Sequence, residues 1–230
     1  MPTVRSEPVV LVHGWGGSFA TTWQAPGWEA LLQDAGRTVI GVDLLGHGTA
    51  PKPHDPAEYA DLTTRIVDAI PATGQIDAIG FSMGAKTLLE LAIRSPERFG
   101  RLVVAGIGKN VFEDDPERRK IIIDAVEGRE TEDNVGRLFS QYAQQPGNDA
   151  AALAAVMKRT GERLTPERLA AVKCPVLVAL GDKDFAGPAD PLVEALPDAT
   201  LVTLKGVDHF ATPESFAFID AALEFLDAVP

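Results

Sequence analysis

Cysteine is almost missing from this chain: one residue, Cys174, occurs among 230, and a lone thiol cannot form a disulfide within the chain. No apolar run approaches the ~20 residues that a membrane-spanning helix needs. The first residues also lack the apolar segment of a secretory signal peptide. We therefore expect a cytoplasmic protein with no membrane partner, in which Cys174 is a small buried packing residue.

Basic residues are outnumbered: 21 lysines and arginines face 33 aspartates and glutamates, and the formal net charge at pH 7 is −12. Binding to a nucleic-acid backbone requires a basic surface that displaces counterions from the phosphates. The nearest approach to such a surface, Arg118-Arg119-Lys120, lies among acidic residues, which is typical of a solvated helix face. The charge distribution argues against a nucleic-acid partner.

Histidine is scarce too, and the four histidines are scattered without the H-x-x-x-H or similar spacing of a metal site. A dinucleotide site is also disfavoured. The glycine-rich segment 14–17 (GWGG) departs from the G-x-G-x-x-G fingerprint, because Phe19 stands where the last glycine belongs. We expect the protein to need no metal and no cofactor.

Short β-branched runs alternate with longer helical patterns along the chain. This alternation predicts an α/β fold with a mainly parallel sheet of six to eight strands and helices on both faces. Most strand segments are continuously apolar, as strands buried on both faces are. The predicted strands are 8–12, 38–42, 76–81, 101–105, 176–180 and 200–204, and the predicted core helices are 28–35, 57–70, 83–94, 190–196 and 213–228.

The alternation stops between the fourth and fifth strands. Residues 107–173 contain no convincing strand, and a connection of this length is far beyond the usual loop. Apolar residues recur there at helical spacing over 116–126, 134–142 and 150–158, with glycine and proline breakers between. We predict a helical lid at 110–170, inserted into an α/β core formed by 1–109 and 171–230.

The strongest local signal for chemistry is GFSMG at residues 80–84, between an apolar strand and a helix. In that context G-x-S-x-G predicts a nucleophile elbow, a sharp turn that presents the Ser82 hydroxyl above the sheet. The strained turn demands small neighbours, which the two glycines supply, and the helix N-terminus stabilises negative charge. Ser82 is therefore the candidate nucleophile.

A second glycine-rich turn, HGWGG at residues 13–17, follows the first strand. It can bring a backbone N–H towards Ser82, so the amides of Trp15 and Met83 are the predicted oxyanion hole. One such donor is typically worth ~10²–10³ in turnover. His13, within this turn, is expected to fix the loop geometry, and a catalytic role for it is a weaker alternative.

The candidate base is His209, the one histidine that follows a late strand, where a base can reach the elbow. The candidate acid follows the preceding strand, in GDKD at residues 181–184. It would accept the Nδ1–H of His209 and stabilise the imidazolium. Asp184 is preferred to Asp182, which is closer to the strand end and better placed to brace the turn, although either side chain could reach His209.

Taken in order, the segments HGWGG, DLLGHG (43–48), GFSMG, GDKD and GVDH (206–209) resemble the α/β-hydrolase superfamily, in particular its lidded esterase, lactonase and carbon–carbon hydrolase branch. The resemblance covers nearly the whole chain and implies a triad of Ser82, Asp184 and His209. There are two departures. Only seven residues precede the first predicted strand, where family members usually carry a β-hairpin, and the insert is shorter than in many relatives.

The resemblance implies a serine hydrolase of carboxylesterase type (EC 3.1.1) that cleaves an ester or related small acyl substrate through an acyl–serine intermediate. Phe185 and Phe210 directly follow the proposed acid and base, and Phe139 lies on the predicted lid, so these three are the candidate substrate contacts. Two other functions stay open: a carbon–carbon bond hydrolase on the same triad, and a ligand receptor with slow turnover. The sequence does not give an oligomeric state.

Overall fold

The computed structural model of the chain describes residues 5–229, and a six-stranded parallel sheet forms its centre. The strands are β1 (Val9–Val12), β2 (Val39–Val42), β3 (Ile76–Phe81), β4 (Phe99–Ala105), β5 (Val176–Gly181) and β6 (Ala199–Leu204). Their order across the sheet is β2-β1-β3-β4-β5-β6, and every neighbouring pair is parallel. The six predicted strands are confirmed, each end within two residues of the predicted one.

Helices surround this sheet. They are α1 (Trp28–Asp34), α2 (Thr64–Ala69), α3 (Met83–Arg94), α4 (Pro116–Val126), α5 (Asn134–Ala143), α6 (Ala150–Lys158), α7 (Pro166–Leu169), α8 (Asp190–Ala195) and α9 (Phe216–Phe225). Helices α4 to α7 lie in residues 110–170, which we call the helical insert. The three helices predicted for this insert are confirmed, with ends within one residue.

Successive strand side chains point to opposite faces of the sheet, and each face has its own apolar layer. Val10 and its same-face neighbours pack with Leu88 of α3, whereas Leu11 and its neighbours pack with Trp28 of α1 and Phe218 of α9. All five side chains are fully buried. Burial of such a side chain contributes roughly 1.5–3 kcal/mol, so the two layers fix the sheet between its helices.

One predicted helix is wrong in its first half. The periodicity of residues 57–70 predicts a single helix, but the chain forms a 3₁₀ turn at Pro56–Tyr59 and then α2. Asp61 interrupts the helix, because its carboxylate accepts hydrogen bonds from the N–H and the hydroxyl of Thr63 at 2.9 and 2.6 Å. A short polar side chain that bonds the backbone two residues further on favours a turn over a helix.

The helical insert has caps and an apolar centre of its own. At the starts of α4, α5 and α6, an aspartate side chain accepts a hydrogen bond from a first-turn N–H, which stabilises each helix. Val126, Ala143 and Leu153 pack together between these helices. The division into a lid and a core stays a prediction, and residues 1–4 and 230 of the predicted core lie outside the described residues.

The sheet topology brings two of the candidate motifs together. β1 and β3 are neighbours, but the chain continues from β1 to the edge strand β2 and from β3 to β4 on the other side. Such a reversal opens a crevice at the carboxyl ends of the strands, and open α/β sheets bind ligands there. Segments 13–17 and 82–84 follow β1 and β3 at this edge, so they meet at the reversal point.

Candidate active site

Ser82 lies at the turn between β3 and α3, in a backbone conformation that serine rarely adopts. Its φ is 51° and its ψ is −110°. Such a conformation costs of order 1–3 kcal/mol and persists only where the surroundings impose it. The Ser82 N–H donates to the Ala105 carbonyl at 2.8 Å, and the Lys86 N–H donates to the Ser82 carbonyl at 3.1 Å. The turn is therefore held on both sides of the serine.

Glycines let the backbones around Ser82 approach one another. A Cβ on Gly84 would lie 2.3 Å from the Val12 carbonyl oxygen, and one on Gly80 would lie 2.7 Å from the Ala85 backbone. Real Cβ atoms do not come this close to other atoms, so a side chain at Gly84 would push α3 away from β1. The G-x-S-x-G pattern thus reflects direct packing of the elbow against the first strand.

Ser82 is joined to His209 and Asp184 by a chain of hydrogen bonds. The Ser82 Oγ lies 3.0 Å from His209 Nε2, and His209 Nδ1 lies 3.0 and 2.9 Å from the two Asp184 carboxylate oxygens. His209 is buried, and the Asp184 carboxylate is fully removed from solvent. Because a carboxylate only accepts, Nδ1 carries a proton, which leaves Nε2 free to accept the Ser82 proton.

Asp182 and Asp184 are held differently. The Asp182 side chain is exposed and accepts a hydrogen bond from the Gly206 N–H at 2.7 Å. Asp184 accepts from the Ala186 N–H at 2.8 Å and turns its carboxylate towards His209. The structure therefore brings Asp184, and not Asp182, to the imidazole.

The turn after β1 holds the Trp15 N–H in a defined direction. The Gly14 carbonyl accepts a hydrogen bond from the Gly17 N–H at 3.1 Å, and His13 Nδ1 lies 2.7 Å from it. His13 Nε2 accepts from the Leu44 N–H at 3.1 Å, so Nδ1 is the protonated nitrogen and donates. In a trans peptide the N–H points opposite to the carbonyl. The Trp15 N–H therefore points away from these two donors.

Both candidate oxyanion amides are free to donate. Within residues 5–229, no protein group accepts a hydrogen bond from the Trp15 N–H or the Met83 N–H. Met83 is the first residue of α3, where an N–H has no partner inside the helix. A Cβ on Gly14 would lie 3.3 Å from the Ser82 Cβ, so the turn packs directly against the elbow. Free amides beside a serine hydroxyl can stabilise an oxyanion formed there.

Two buried histidines lie next to each other at this turn, and one of them, His13, bonds its Gly14 carbonyl. The rings of His13 and His47 lie 5.0 Å apart. Burial lowers the pKa of His13, and it lowers the pKa of His47 to about 3. The Nε2 atom of His47 is buried without a hydrogen-bond partner among the described residues. Both imidazoles are neutral at neutral pH, so neither adds charge beside the turn.

A small cavity of about 30 Å³ lies beside Ser82, with room for only one or two water molecules. Glycines of the β1 turn, the elbow, His209 and aromatic side chains enclose it. Of the predicted substrate contacts, Phe139 and Phe210 line this cavity. The complete lining is Gly14, Trp15, Gly17, Thr22, Phe81, Ser82, Phe139, Tyr142, His209 and Phe210.

The third predicted contact, Phe185, lies elsewhere. Its ring packs on the His209 ring with the centroids 4.4 Å apart, and it is half exposed outside the cavity. The sequence reasoning missed two residues of the lining, Thr22 and Tyr142. Neither belongs to a motif, and helical periodicity alone does not tell which face of α5 points at Ser82.

The helical insert and the turn after β1 meet beside this cavity, where Phe139 of the insert packs on Trp15 of the turn. The Trp15 indole N–H donates to the Leu153 carbonyl at 3.1 Å. The Phe139 ring lies 5.1 Å from the Trp15 ring and 6.2 Å from the Phe210 ring, and the Tyr142 ring lies 5.6 Å from Phe210. Aromatic side chains of the insert and the core thus form one wall over the serine.

A larger cavity of about 430 Å³ lies between α3 and the chain that follows α6. Lys86, Glu90 and Arg159 line it. Within residues 5–229, neither Lys86 nor Arg159 has a carboxylate oxygen within 4.0 Å. Burial lowers the pKa of Lys86 to about 8, and the charge of Arg159 adds to the shift. The two cations are candidates for holding an anionic group of a ligand.

The described residues do not meet the requirements of a metal site, a membrane-spanning helix or a reactive thiol. No three His, Cys, Asp or Glu side chains within residues 5–229 are grouped closely enough to hold a metal ion. That part of the chain also has no helix long and apolar enough to cross a bilayer. Cys174 is buried, and burial raises its pKa to about 11, so the thiol is protonated at neutral pH.

Several known proteins are similar to this chain. The model of the alpha/beta hydrolase family matches residues 9–227. The 2-hydroxymuconate semialdehyde hydrolase of Pseudomonas sp. (strain CF600) is 36% identical over 106 residues, which are 43% of this chain and 36% of that protein. The sn-1-specific diacylglycerol lipase of Mus musculus is 35% identical over 101 residues, which are 43% of this chain and 32% of that protein. The chain thus matches about a third of the length of these curated relatives.

Among solved structures, a thermophilic esterase from Thermogutta terrifontis superposes on the chain with a TM-score of 0.72. The superposition covers 99% of this chain and 92% of the esterase, at 22% sequence identity. At this identity the similarity establishes the fold, and the chemistry has to be argued from the site.

Proposed function

The chain belongs to the alpha/beta hydrolase family, and from this premise we propose that it is a serine hydrolase that cleaves a carboxylic ester or related small acyl substrate through an acyl–Ser82 intermediate. The observation that carries the proposal is the unbroken chain of hydrogen bonds from Asp184 through His209 to Ser82. The matched relatives include a lipase and a semialdehyde hydrolase, so the type of bond cleaved is part of the proposal.

In the acylation step, His209 Nε2 removes the proton of Ser82 Oγ while that oxygen attacks the substrate carbonyl. The 3.0 Å separation of the two atoms is within hydrogen-bond reach. The Asp184 carboxylate holds Nδ1–H and stabilises the imidazolium that forms. The imidazolium returns its proton to the leaving alcohol, so the ester bond breaks and the acyl group stays on Ser82.

The carbonyl oxygen becomes negatively charged in each tetrahedral intermediate. The Trp15 and Met83 amides donate to it, and each donor of this kind typically contributes ~10²–10³ in turnover. Water then attacks the acyl–Ser82 with His209 again as base, which releases the acid and restores the serine. These steps use only protein groups and water.

The helical insert, residues 110–170, is the lid of this site in our proposal. The cavity beside Ser82 holds only about 30 Å³ and is partly open to solvent, so we propose that the insert shifts to admit an acyl group. The wall that it forms is largely aromatic, with Phe139 from the insert and Phe210 from the core. Such a wall favours a small or medium acyl group that is at least partly apolar.

Labelling with a fluorophosphonate, followed by peptide mass spectrometry, tests the proposal. We expect one label per chain, on Ser82, together with steady-state hydrolysis of short p-nitrophenyl esters. Ser82→Ala should lose both the label and the turnover at an unchanged melting temperature, because only the Oγ atom is removed. Labelling of another residue, or ordinary turnover by Ser82→Ala, would refute the assignment. Stoichiometric labelling without steady-state turnover would favour the slow ligand receptor.

A carbon–carbon bond hydrolase on the same triad is the second candidate. The matched Pseudomonas protein is named a 2-hydroxymuconate semialdehyde hydrolase. In this candidate, Lys86 and Arg159 would hold a substrate carboxylate, although they line a cavity separate from the one beside Ser82 and share it with Glu90. A vinylogous diketone that carries a carboxylate, assayed beside the esters, separates the two candidates. Faster turnover of the diketone than of every ester, with a raised KM in Lys86→Met, would favour the second.

A further inference from the structure

Asn148 lies in the turn between α5 and α6, and its side-chain amide reaches across to the turn after β1. Asn148 Nδ2 donates to the Gly16 carbonyl at 2.8 Å and to the Tyr142 carbonyl at 3.1 Å. Because both partners are carbonyl oxygens, which only accept, the NH₂ group and not the amide oxygen must face them. One bond anchors the amide within the insert, and the other crosses to the turn that carries Trp15.

From Gly16, hydrogen bonds lead on to the Trp15 amide. The Gly16 carbonyl and the Gly17 N–H belong to one peptide group, and this N–H donates to the Gly14 carbonyl at 3.1 Å. The Gly14 carbonyl and the Trp15 N–H belong to a second peptide group. Asn148 is thus linked to the proposed oxyanion donor through two peptide groups, each accepting at one end and donating at the other. Hydrogen bonds in such a chain polarise one another.

The insert also packs on the same turn by other contacts. The Trp15 indole donates to the Leu153 carbonyl. The Tyr142 ring lies against Gly16, whose φ is +73° and where a Cβ would sit 2.5 Å from the ring. These contacts locate the turn, but of the insert's described residues Asn148 alone donates to a backbone carbonyl of segment 14–17.

We propose that Asn148 is a positioning residue, which aligns the Trp15 amide for oxyanion stabilisation when the insert closes. The inference rests on the proposed serine hydrolase function. Asn148 touches no reacting atom and acts through Gly16 and Gly17, so its loss slows the chemical step and leaves the binding of a neutral ester nearly unchanged. When the insert moves away, the bond to Gly16 breaks, and the amide regains its support only after the substrate is enclosed.

Loss of a whole oxyanion donor lowers kcat by ~10²–10³. Loss of Asn148 leaves the Trp15 amide in place, with two donors still on the Gly14 carbonyl, so the expected loss in kcat is smaller, about 10- to 100-fold. Asn148→Asp is the sharpest change, because it keeps the side-chain shape but sets a carboxylate oxygen against two carbonyls. Asn148→Ala removes the donors without adding charge, and it keeps the test open if the aspartate variant does not fold.

The experiment compares ester hydrolysis by the parent protein, Asn148→Asp, Asn148→Ala and Gln141→Glu. Gln141 is exposed on α5, so Gln141→Glu adds the same charge to the insert away from the turn. Affinity for phenylboronic acid is the second readout, since Ser82 Oγ adds to the boron and forms a tetrahedral anion whose oxygen occupies the oxyanion hole. We expect both Asn148 variants to lose kcat and boronate affinity together, with KM and melting temperature near those of the parent.

The outcomes separate this inference from the function on which it rests. A parent protein that a fluorophosphonate does not label at Ser82 contradicts the serine hydrolase function. A labelled parent, with Asn148 variants that keep kcat or lose no more than Gln141→Glu, overturns the role of Asn148. A raised KM with unchanged kcat, or a melting temperature that falls in step with activity, also overturns it, because Asn148 would then only hold the insert in place.

Discussion

Replacement of Asp184 by asparagine tests the proposed triad directly, because the structure dictates which way the new amide faces. Asp184 Oδ1 accepts the Ala186 N–H at 2.8 Å, so the asparagine oxygen has to take that position. Its NH₂ group then takes the position of Oδ2, 2.9 Å from His209 Nδ1. Oδ1 also lies 3.0 Å from Nδ1, but an NH₂ group at the nearer position disfavours a protonated Nδ1, so we expect His209 to carry its proton on Nε2 instead.

This change of tautomer removes the base. An Nε2–H group faces Ser82 Oγ across 3.0 Å as a donor and cannot accept the serine proton. The corresponding change in another serine hydrolase triad lowers kcat by ~10⁴. At about 1.36 kcal/mol per decade, that is about 5.5 kcal/mol of transition-state stabilisation. KM should stay nearly unchanged, because Asp184 lies behind His209 and does not line the cavity.

The assay measures kcat, KM and melting temperature for Asp184→Asn and for the matched control Asp182→Asn. Asp182 is exposed and bonds the Gly206 N–H, a contact that an asparagine oxygen preserves, so the control should keep its turnover. Asp182→Ala loses that bond and should lower the free energy of unfolding by about 1 kcal/mol, with turnover intact. If Asp182→Asn loses turnover and Asp184→Asn keeps it, Asp182 is the acid and the proposed triad is refuted.

Three further changes give measurable outcomes. Phe139→Ala should shift the ratio of activities on long and short esters, whereas Leu138→Ala, at an exposed site on the same helix, should not. If both variants keep the ratio of the parent protein, Phe139 does not contact the substrate. Gly84→Ala sets a Cβ 2.3 Å from the Val12 carbonyl oxygen, so we expect it to destabilise the fold by at least the ~1–3 kcal/mol of overpacking, and normal urea stability would contradict this. Burial holds the pKa of His47 at about 3, below the 6.5 of a histidine in the unfolded chain, so the unfolded state takes up this proton first as pH falls. The contribution of neutral His47 to the free energy of unfolding is therefore fully present above pH 6.5 and is lost as pH falls towards 3. His47→Gln should flatten the fall in unfolding free energy between pH 6.5 and 4.5 by up to about 1.4 kcal/mol per pH unit, and an unchanged slope in urea titrations would count against it.

The strands, and the meeting of the candidate motifs, could be predicted because a parallel sheet leaves a simple sequence pattern. Its strands are apolar throughout, and their carboxyl ends share one edge, so residues that directly follow strands meet there whatever their separation. His209 is 127 positions from Ser82, yet its Nε2 lies 3.0 Å from the serine oxygen. Local pattern and topology together were sufficient for this part of the site.

The contribution of the insert could not be predicted in the same way. Tyr142 and Asn148 belong to no motif, and the Pro146-Gly147 pair before Asn148 predicts only a turn. Which face of α5 meets the core depends on how the insert docks, and helical periodicity does not encode docking. For Phe185, adjacency to Asp184 in sequence correctly indicated a position near the triad, since its ring packs on His209, but it did not show that the ring lies outside the small cavity.

The turn that carries Trp15 accepts hydrogen bonds from a residue of the core and from a residue of the insert. From the core, the buried His13 donates to the Gly14 carbonyl, and neither of these two residues belongs to the insert. From the insert, Asn148 donates to the Gly16 carbonyl, and in our proposal this bond is made only when the insert is closed. The cavity beside Ser82 has room for little water when the insert is placed as in this structure, and hydrogen bonds to a developing charge are stronger where water is excluded. A substrate that allows closure therefore gains stabilisation of its transition state that an oversized substrate does not. Acyl size should accordingly affect kcat as well as KM.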